Sequence, residues 1–145
     1  MIGQSLNSIS WQTIMERTDM ATVLVVEDEL NIRKLVTVNL ISRGYTVLEA
    51  TNVPQALEQL RTVIPDLMIL DIKLPEMTGW DLLTQIAADP NLTAEFPVLA
   101  MTASILEAQI DRDRYPNIVD VIIKPFSATR LMTAIERALR TPSIQ

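Results

Sequence analysis

The chain has 145 residues, a hydrophobic share of 48% against a charged share of 21%, and a formal net charge of −6, a balance that fits one globular domain rather than a disordered segment. It contains no His and no Cys, which excludes imidazole relays, thiolate nucleophiles, disulfides and His- or Cys-ligated metal centres. The acidic balance argues against direct DNA binding, which draws on clustered Lys and Arg, and the oxygen donors that remain suit a hard cation such as Mg²⁺.

No stretch reaches the ~20 apolar residues of a membrane span. Met1 to Asp19 lacks the basic start and apolar core of a signal peptide. The expectation is a cytoplasmic protein with no membrane contact. Residues 1–19 read as an N-terminal extension, either disordered, or preceding a true start at Met20, or a short helix carrying Leu6, Ile9, Trp11, Ile14 and Met15. Residues 20–141 read as the domain and 142–145 as a tail. With so few residues after the last helix, no C-terminal output domain is expected.

Thr22 to Val26 is a short apolar run rich in β-branched residues, so it predicts a buried strand, and it ends in Glu27-Asp28-Glu29. Leu30 to Arg43 repeats apolar residues at near-helical spacing and stops at Gly44. Tyr45 to Glu49 reads as a second strand. Asn52 and Pro54 supply a cap and a first-turn proline for a helix carrying Ala56, Leu57 and Leu60. Asp66 to Asp71 is a third strand, again apolar and ending in an acid. A loop, Leu74 to Gly79, leads to a helix over Trp80 to Ala87. Phe96 to Thr102 is a fourth strand, ending in a hydroxyl. Ile105 to about Arg114 reads as a polar, weakly amphipathic helix. Val119 to Ile123 is a fifth strand, followed by Lys124-Pro125, and Ser127 caps a last helix through Arg140.

Strands alternating with helices imply βα units on a parallel sheet. The predicted fold is α/β: a doubly wound, five-stranded parallel sheet with helices on both faces, flavodoxin-like, (βα)5. In such sheets ligands bind outside the carboxyl ends of the strands. Glu27, Asp28, Asp71, Thr102 and Lys124 all fall at those ends. Glu49, at the end of the second strand, falls to one side. Three carboxylates in one place repel each other unless a proton or a cation enters. Mg²⁺ suits carboxylate and phosphate oxygens, Lys124 offers a fixed positive charge, Thr102 one hydroxyl donor, and Asp71 an oxygen nucleophile for phosphorus.

Each group also has a plainer reading. The acidic run could cap the first helix, Asp71 could be a turn residue, Lys124 could merely neutralise buried carboxylates, and Thr102 could cap the next helix. Their coincidence at four strand ends favours a site. The set Glu27-Asp28, Asp71, Thr102-Ala103 and Lys124-Pro125-Phe126, with the loop Leu74-Pro75 to Gly79, resembles the receiver domain of bacterial response regulators over about residues 22 to 140.

The resemblance implies that Asp71 is a phosphoacceptor. It would be served by a histidine kinase or a histidine phosphotransfer protein, a partner that supplies the His this chain lacks. It implies Mg²⁺ held by Asp28, Asp71 and the backbone carbonyl of Lys73, with help from Glu27. Lys124 would contact Asp71 and then the phosphoryl oxygens. Thr102 would act as a switch, coupling the site to the protein-binding face formed by the fourth helix, fifth strand and last helix. That face would engage a downstream protein target that the residues do not name. Lys124-Pro125 would be cis. The chain departs from the pattern at Val121, where the family's second switch residue is aromatic. The resemblance implies a single-domain regulator that catalyses only its own phosphorylation and dephosphorylation.

Two alternatives are a Mg²⁺-dependent aspartyl-phosphate phosphatase and a receiver-like adaptor that is not phosphorylated. The phosphatases of haloacid-dehalogenase type want a second Asp two residues after the first, where this chain has Lys73. A flavodoxin-like cofactor binder would need a small, phosphate-cradling loop after the first strand, where this chain has Glu27-Asp28-Glu29.

Overall fold

A computed structural model describes residues 21–92, 95–106, 109 and 112–140. Five parallel strands form one sheet: β1 (Thr22–Val26), β2 (Thr46–Ala50), β3 (Leu67–Asp71), β4 (Val98–Thr102) and β5 (Ile118–Ile123), in the spatial order β2-β1-β3-β4-β5. Helices α1 (Leu30–Ser42), α2 (Val53–Thr62), α3 (Gly79–Ala88) and α4 (Ala128–Arg140) cover it. The fold is the expected doubly wound α/β sandwich.

Period-two alternation of side chains divides each buried strand between two cores. Val23 and Val25 of β1, with Leu67 and Ile69 of β3, face α1 and α4 through Val36, Leu40, Leu131 and Ile135. Leu24 and Val26, with Met68 and Leu70, face α2 and α3 through Val53, Ala56, Leu57, Leu60 and Leu82. Strands buried on both faces read as continuous apolar runs, which is why β1 and β3 stand out in the sequence.

The helix ends follow local chemistry. Asn52 accepts the Gln55 N–H at 2.9 Å and Ser127 accepts the Arg130 N–H at 3.0 Å, as expected of caps. Gly44 has φ 90°, and the Gly44 and Tyr45 N–H groups return to the carbonyls of Ile41 and Leu40, so a Schellman turn ends α1. Thr78 and Asp81 form a reciprocal capping box at α3.

Boundaries shift by a residue or two: β2 begins at Thr46 and β4 at Val98. The helix expected from Ile105 is helical at Ile105, Leu106 and Gln109, but much of it lies outside the described residues, and Arg112–Arg114 forms a 3₁₀ turn rather than its end. The expected extension at 1–19 and tail at 142–145 also lie outside the described residues. Among those residues, no helix is long and apolar enough to cross a membrane.

Candidate phosphoacceptor and metal site

The chain reverses its direction of build-up between β1 and β3, neighbours in the sheet that lie apart in sequence. Groups leaving the carboxyl ends of those strands therefore meet in one crevice. Glu27 and Asp28 leave β1, and Asp71 closes β3. Carboxylate oxygens from all three lie within 4.8 Å of one another. Glu27 is fully buried, Asp71 nearly so, and Asp28 is exposed.

Lys124, delivered by β5, crosses to this crevice. Its Nζ donates to Glu27 Oε1 at 2.8 Å and to Asp71 Oδ2 at 2.9 Å. The Lys124–Pro125 peptide is cis, as the family resemblance implies. Asp71 Oδ1 accepts the Lys73 N–H at 3.1 Å, which sets the Lys73 peptide beside the carboxylate. The Lys73 side chain is exposed.

Burial pushes the Glu27 carboxyl up to about 7, and the neighbouring Asp71 pushes the same way, against the opposing pull of Lys124 and the Glu29 N–H. Burial alone would lower Lys124. Its hydrogen bonds to Glu27 and Asp71 outweigh that and hold the ammonium above its ordinary value. Three carboxylates thus face one ammonium. The donor set is oxygen only, with an exposed edge at Asp28, so Glu27, Asp28 and Asp71 could hold a hard divalent cation.

Thr102 ends β4 and is buried, beside the β3 terminus. Its hydroxyl accepts the Ser104 N–H at 3.0 Å and faces the Ser104 carbonyl at 3.3 Å, so it is engaged in its own turn. Val121 is half-buried on β5. Its carbonyl accepts Arg130 Nη2 at 3.2 Å, and Arg130 pairs with Asp120 at 3.2 Å. Trp80 stacks on Tyr115 with ring centroids 5.3 Å apart, and both pack against the same core as Val121.

Two features of this region escaped sequence reasoning. Arg33, one turn into α1, donates Nε to Glu49 Oε1 at 3.0 Å and Nη1 to the Glu27 carbonyl at 3.0 Å. Glu49, which strand order sets to one side, is tied to the acidic turn through that guanidinium. The close return at Gly79 is the other. A Cβ there would sit 2.8 Å from the Asp71 carbonyl oxygen, so only glycine lets the loop return this close behind the acid.

The chain matches the response regulator receiver domain over residues 23–136. It is 35% identical over 119 residues to the phosphate regulon transcriptional regulatory protein PhoB of Pseudomonas aeruginosa, covering 82% of this chain and 52% of that protein. The chain spans about half the length of such curated relatives. Chemotaxis response regulator CheY4 of Vibrio cholerae superposes with a TM-score of 0.73 at 26% identity, covering 82% of this chain and 98% of that one. The receiver domain of a sensor histidine kinase from Pseudomonas aeruginosa, solved with a magnesium ion coordinated in its active site cleft, gives a TM-score of 0.71 at 27% identity, covering 84% of this chain and 99% of that one. With the sheet order, the acidic crevice and this match, the chain belongs to the response regulator receiver domain family.

Proposed function

We propose that Asp71 accepts a phosphoryl group from a phosphohistidine on a partner kinase or phosphotransfer protein, and that the modified domain signals through a changed protein-binding face. The observation that carries this reading is Lys124 bridging Glu27 and Asp71 at the mouth of a three-carboxylate crevice. An Asp71 oxygen forms a bond to phosphorus as the P–N bond of the phosphohistidine breaks and the imidazole departs. Phosphoryl transfer asks chiefly for positioning and charge neutralisation, so the missing His is no obstacle.

Glu27, Asp28 and Asp71 fit Mg²⁺ by donor type, with the Lys73 carbonyl as a further ligand, and that ion, when bound, offsets charge on the phosphoryl oxygens. Lys124 orients Asp71 beforehand and then meets the incoming oxygens. The Lys73 N–H fixes the other Asp71 oxygen. Thr102, on leaving its turn with Ser104, would donate its hydroxyl to the phosphoryl group and link the site to the surface around β5, with Val121 in the place of the second switch residue. The domain turns over only its own Asp71, acts in the cytoplasm, and is not an enzyme toward other substrates.

Acetyl phosphate with Mg²⁺ tests the reading by intact mass. A single phosphoryl adduct that hydroxylamine removes and Asp71→Asn abolishes is expected. No adduct on the wild type, or an unchanged one on Asp71→Asn, overturns it.

A further inference from the structure

Three carboxylates within 4.8 Å push one another apart, and two of them sit on a turn with an exposed edge. Something has to hold that turn in shape. The Glu27 N–H is fixed to the Ala50 carbonyl and the Glu29 N–H to Glu27 Oε2. The turn's outward carbonyls are met by Arg33, whose Nη1 lies 3.0 Å from the Glu27 oxygen and 3.4 Å from the Asp28 oxygen. Nε of the same guanidinium lies 3.0 Å from Glu49 Oε1, at the end of β2. Arg33 is mostly buried, its side chain 15% exposed, while Glu49 is 48% exposed.

Resting on the phosphoacceptor reading above, we propose that Arg33 is the positioning residue of the acidic crevice, a fork that pins the Glu27–Asp28 turn to β2 and so preorganises both carboxylates for a divalent cation. The charge arrangement suits that task. A lone guanidinium beside a cation site would repel the cation. Glu49 offsets its charge, so the fork gives its hydrogen bonds with less repulsion of the cation. The planar guanidinium also reaches two directions at once, which an ammonium does not.

Position and field predict opposite signs, so one measurement separates them. If Arg33 acted only through its charge, Arg33→Ala would tighten cation binding. If it acts by holding the turn, Arg33→Ala weakens it, as loss of an outer-shell partner does, by about tenfold or more. The probe is Mn²⁺ alone, titrated into the folded full chain and read by electron paramagnetic resonance, with circular dichroism checking the fold. Arg33→Lys is expected to weaken Mn²⁺ nearly as much as Arg33→Ala, because the fork is lost although the charge stays.

Glu49→Ala, at a half-exposed side chain, keeps the fold and is expected to weaken Mn²⁺ several-fold by leaving the guanidinium uncompensated and unanchored. Unchanged or tighter Mn²⁺ binding in Arg33→Ala, or wild-type binding in Arg33→Lys, overturns the proposal. If Arg33→Ala does not fold, unchanged binding in Glu49→Ala overturns it. A wild type that binds no Mn²⁺ and takes no phosphoryl group sinks the phosphoacceptor reading and this inference together. A wild type that does both, with variants that bind Mn²⁺ equally well, sinks this inference alone.

Discussion

Lys124 Nζ lies 2.9 Å from Asp71 Oδ2, across 53 residues of sequence and between the ends of two strands that are not neighbours in the sheet. The same ammonium satisfies Glu27, so it is the sole cation bonded to two buried carboxylates among the described residues. Lys124→Met leaves those carboxylates without it. Removing one partner from a buried pair typically costs about 3 kcal/mol or more. The expected result at pH 7 is a urea midpoint well below wild type, with no phosphoryl adduct from acetyl phosphate. At pH 5.5, where Glu27 takes up a proton, the stability gap should narrow. A gap equal at both pH values counts against electrostatic coupling through Lys124.

Glu27 also sets a pH dependence for the metal-free protein. Its carboxyl stands at about 7 in the fold against an ordinary 4.5, so the folded state binds more protons between those values than the unfolded chain does. Stability from this group is full below about 4.5 and is lost as pH rises through about 7, a decline of roughly 1–3 kcal/mol. Lys124, held above its ordinary value, loses its contribution only at alkaline pH and leaves this window alone. Urea titrations at pH 5, 6, 7 and 8 should show the decline in wild type and not in Glu27→Gln. Millimolar Mg²⁺ should flatten it, since a cation favours the ionised form. A wild-type slope matching that of Glu27→Gln would refute the assignment.

These groups were legible because burial on both sheet faces makes β1 and β3 near-continuous apolar runs, and an acid ending such a run is conspicuous. Lys124 was legible because it directly follows the apolar end of β5, Val121 to Ile123, and precedes Pro125. Arg33 was not. A cation on the first helix looks like a solvated residue, and its partners are main-chain carbonyls and a glutamate from another strand, none of which a spacing rule connects. Gly79 was legible as part of the loop after Asp71, but its close approach to the Asp71 carbonyl was not, because that is a property of three-dimensional return rather than of local sequence. The role of Thr102 lies between: its place at a strand end was evident, but its hydroxyl closes a turn on Ser104.

Gly79→Ala tests that close approach. The new methyl would meet the Asp71 carbonyl oxygen at 2.8 Å and the Ile72 Cα at 3.0 Å, both backbone atoms. Neither can rotate away, so the loop or the end of β3 must move. Overpacking of this kind costs about 1–3 kcal/mol. Gly79→Ala should therefore lower the denaturant midpoint and slow Asp71 phosphorylation by displacing the acid. Wild-type stability in this variant would show that the loop yields freely.

The aromatic pair gives predictions of unequal size for its two members. Trp80 stacks on Tyr115 at 5.3 Å, and the Tyr115 hydroxyl lies 2.7 Å from Thr84 Oγ1. The Trp80 indole Nε1, however, is buried with no hydrogen-bond partner in the structure. An unsatisfied buried donor carries a desolvation cost of about 1–3 kcal/mol. Trp80→Phe removes that donor and keeps an aromatic face, so the lost contact area and the relieved donor offset each other. Its stability should stay within about 1 kcal/mol of wild type. Tyr115→Leu has no such compensation: it forfeits the stack, worth about 0.5–1.5 kcal/mol, together with the Thr84 hydrogen bond. Thermal or urea unfolding of the two variants side by side should find Tyr115→Leu the less stable. The reverse order would mean that the indole nitrogen is satisfied in solution, by a water that the packing around Trp80 admits.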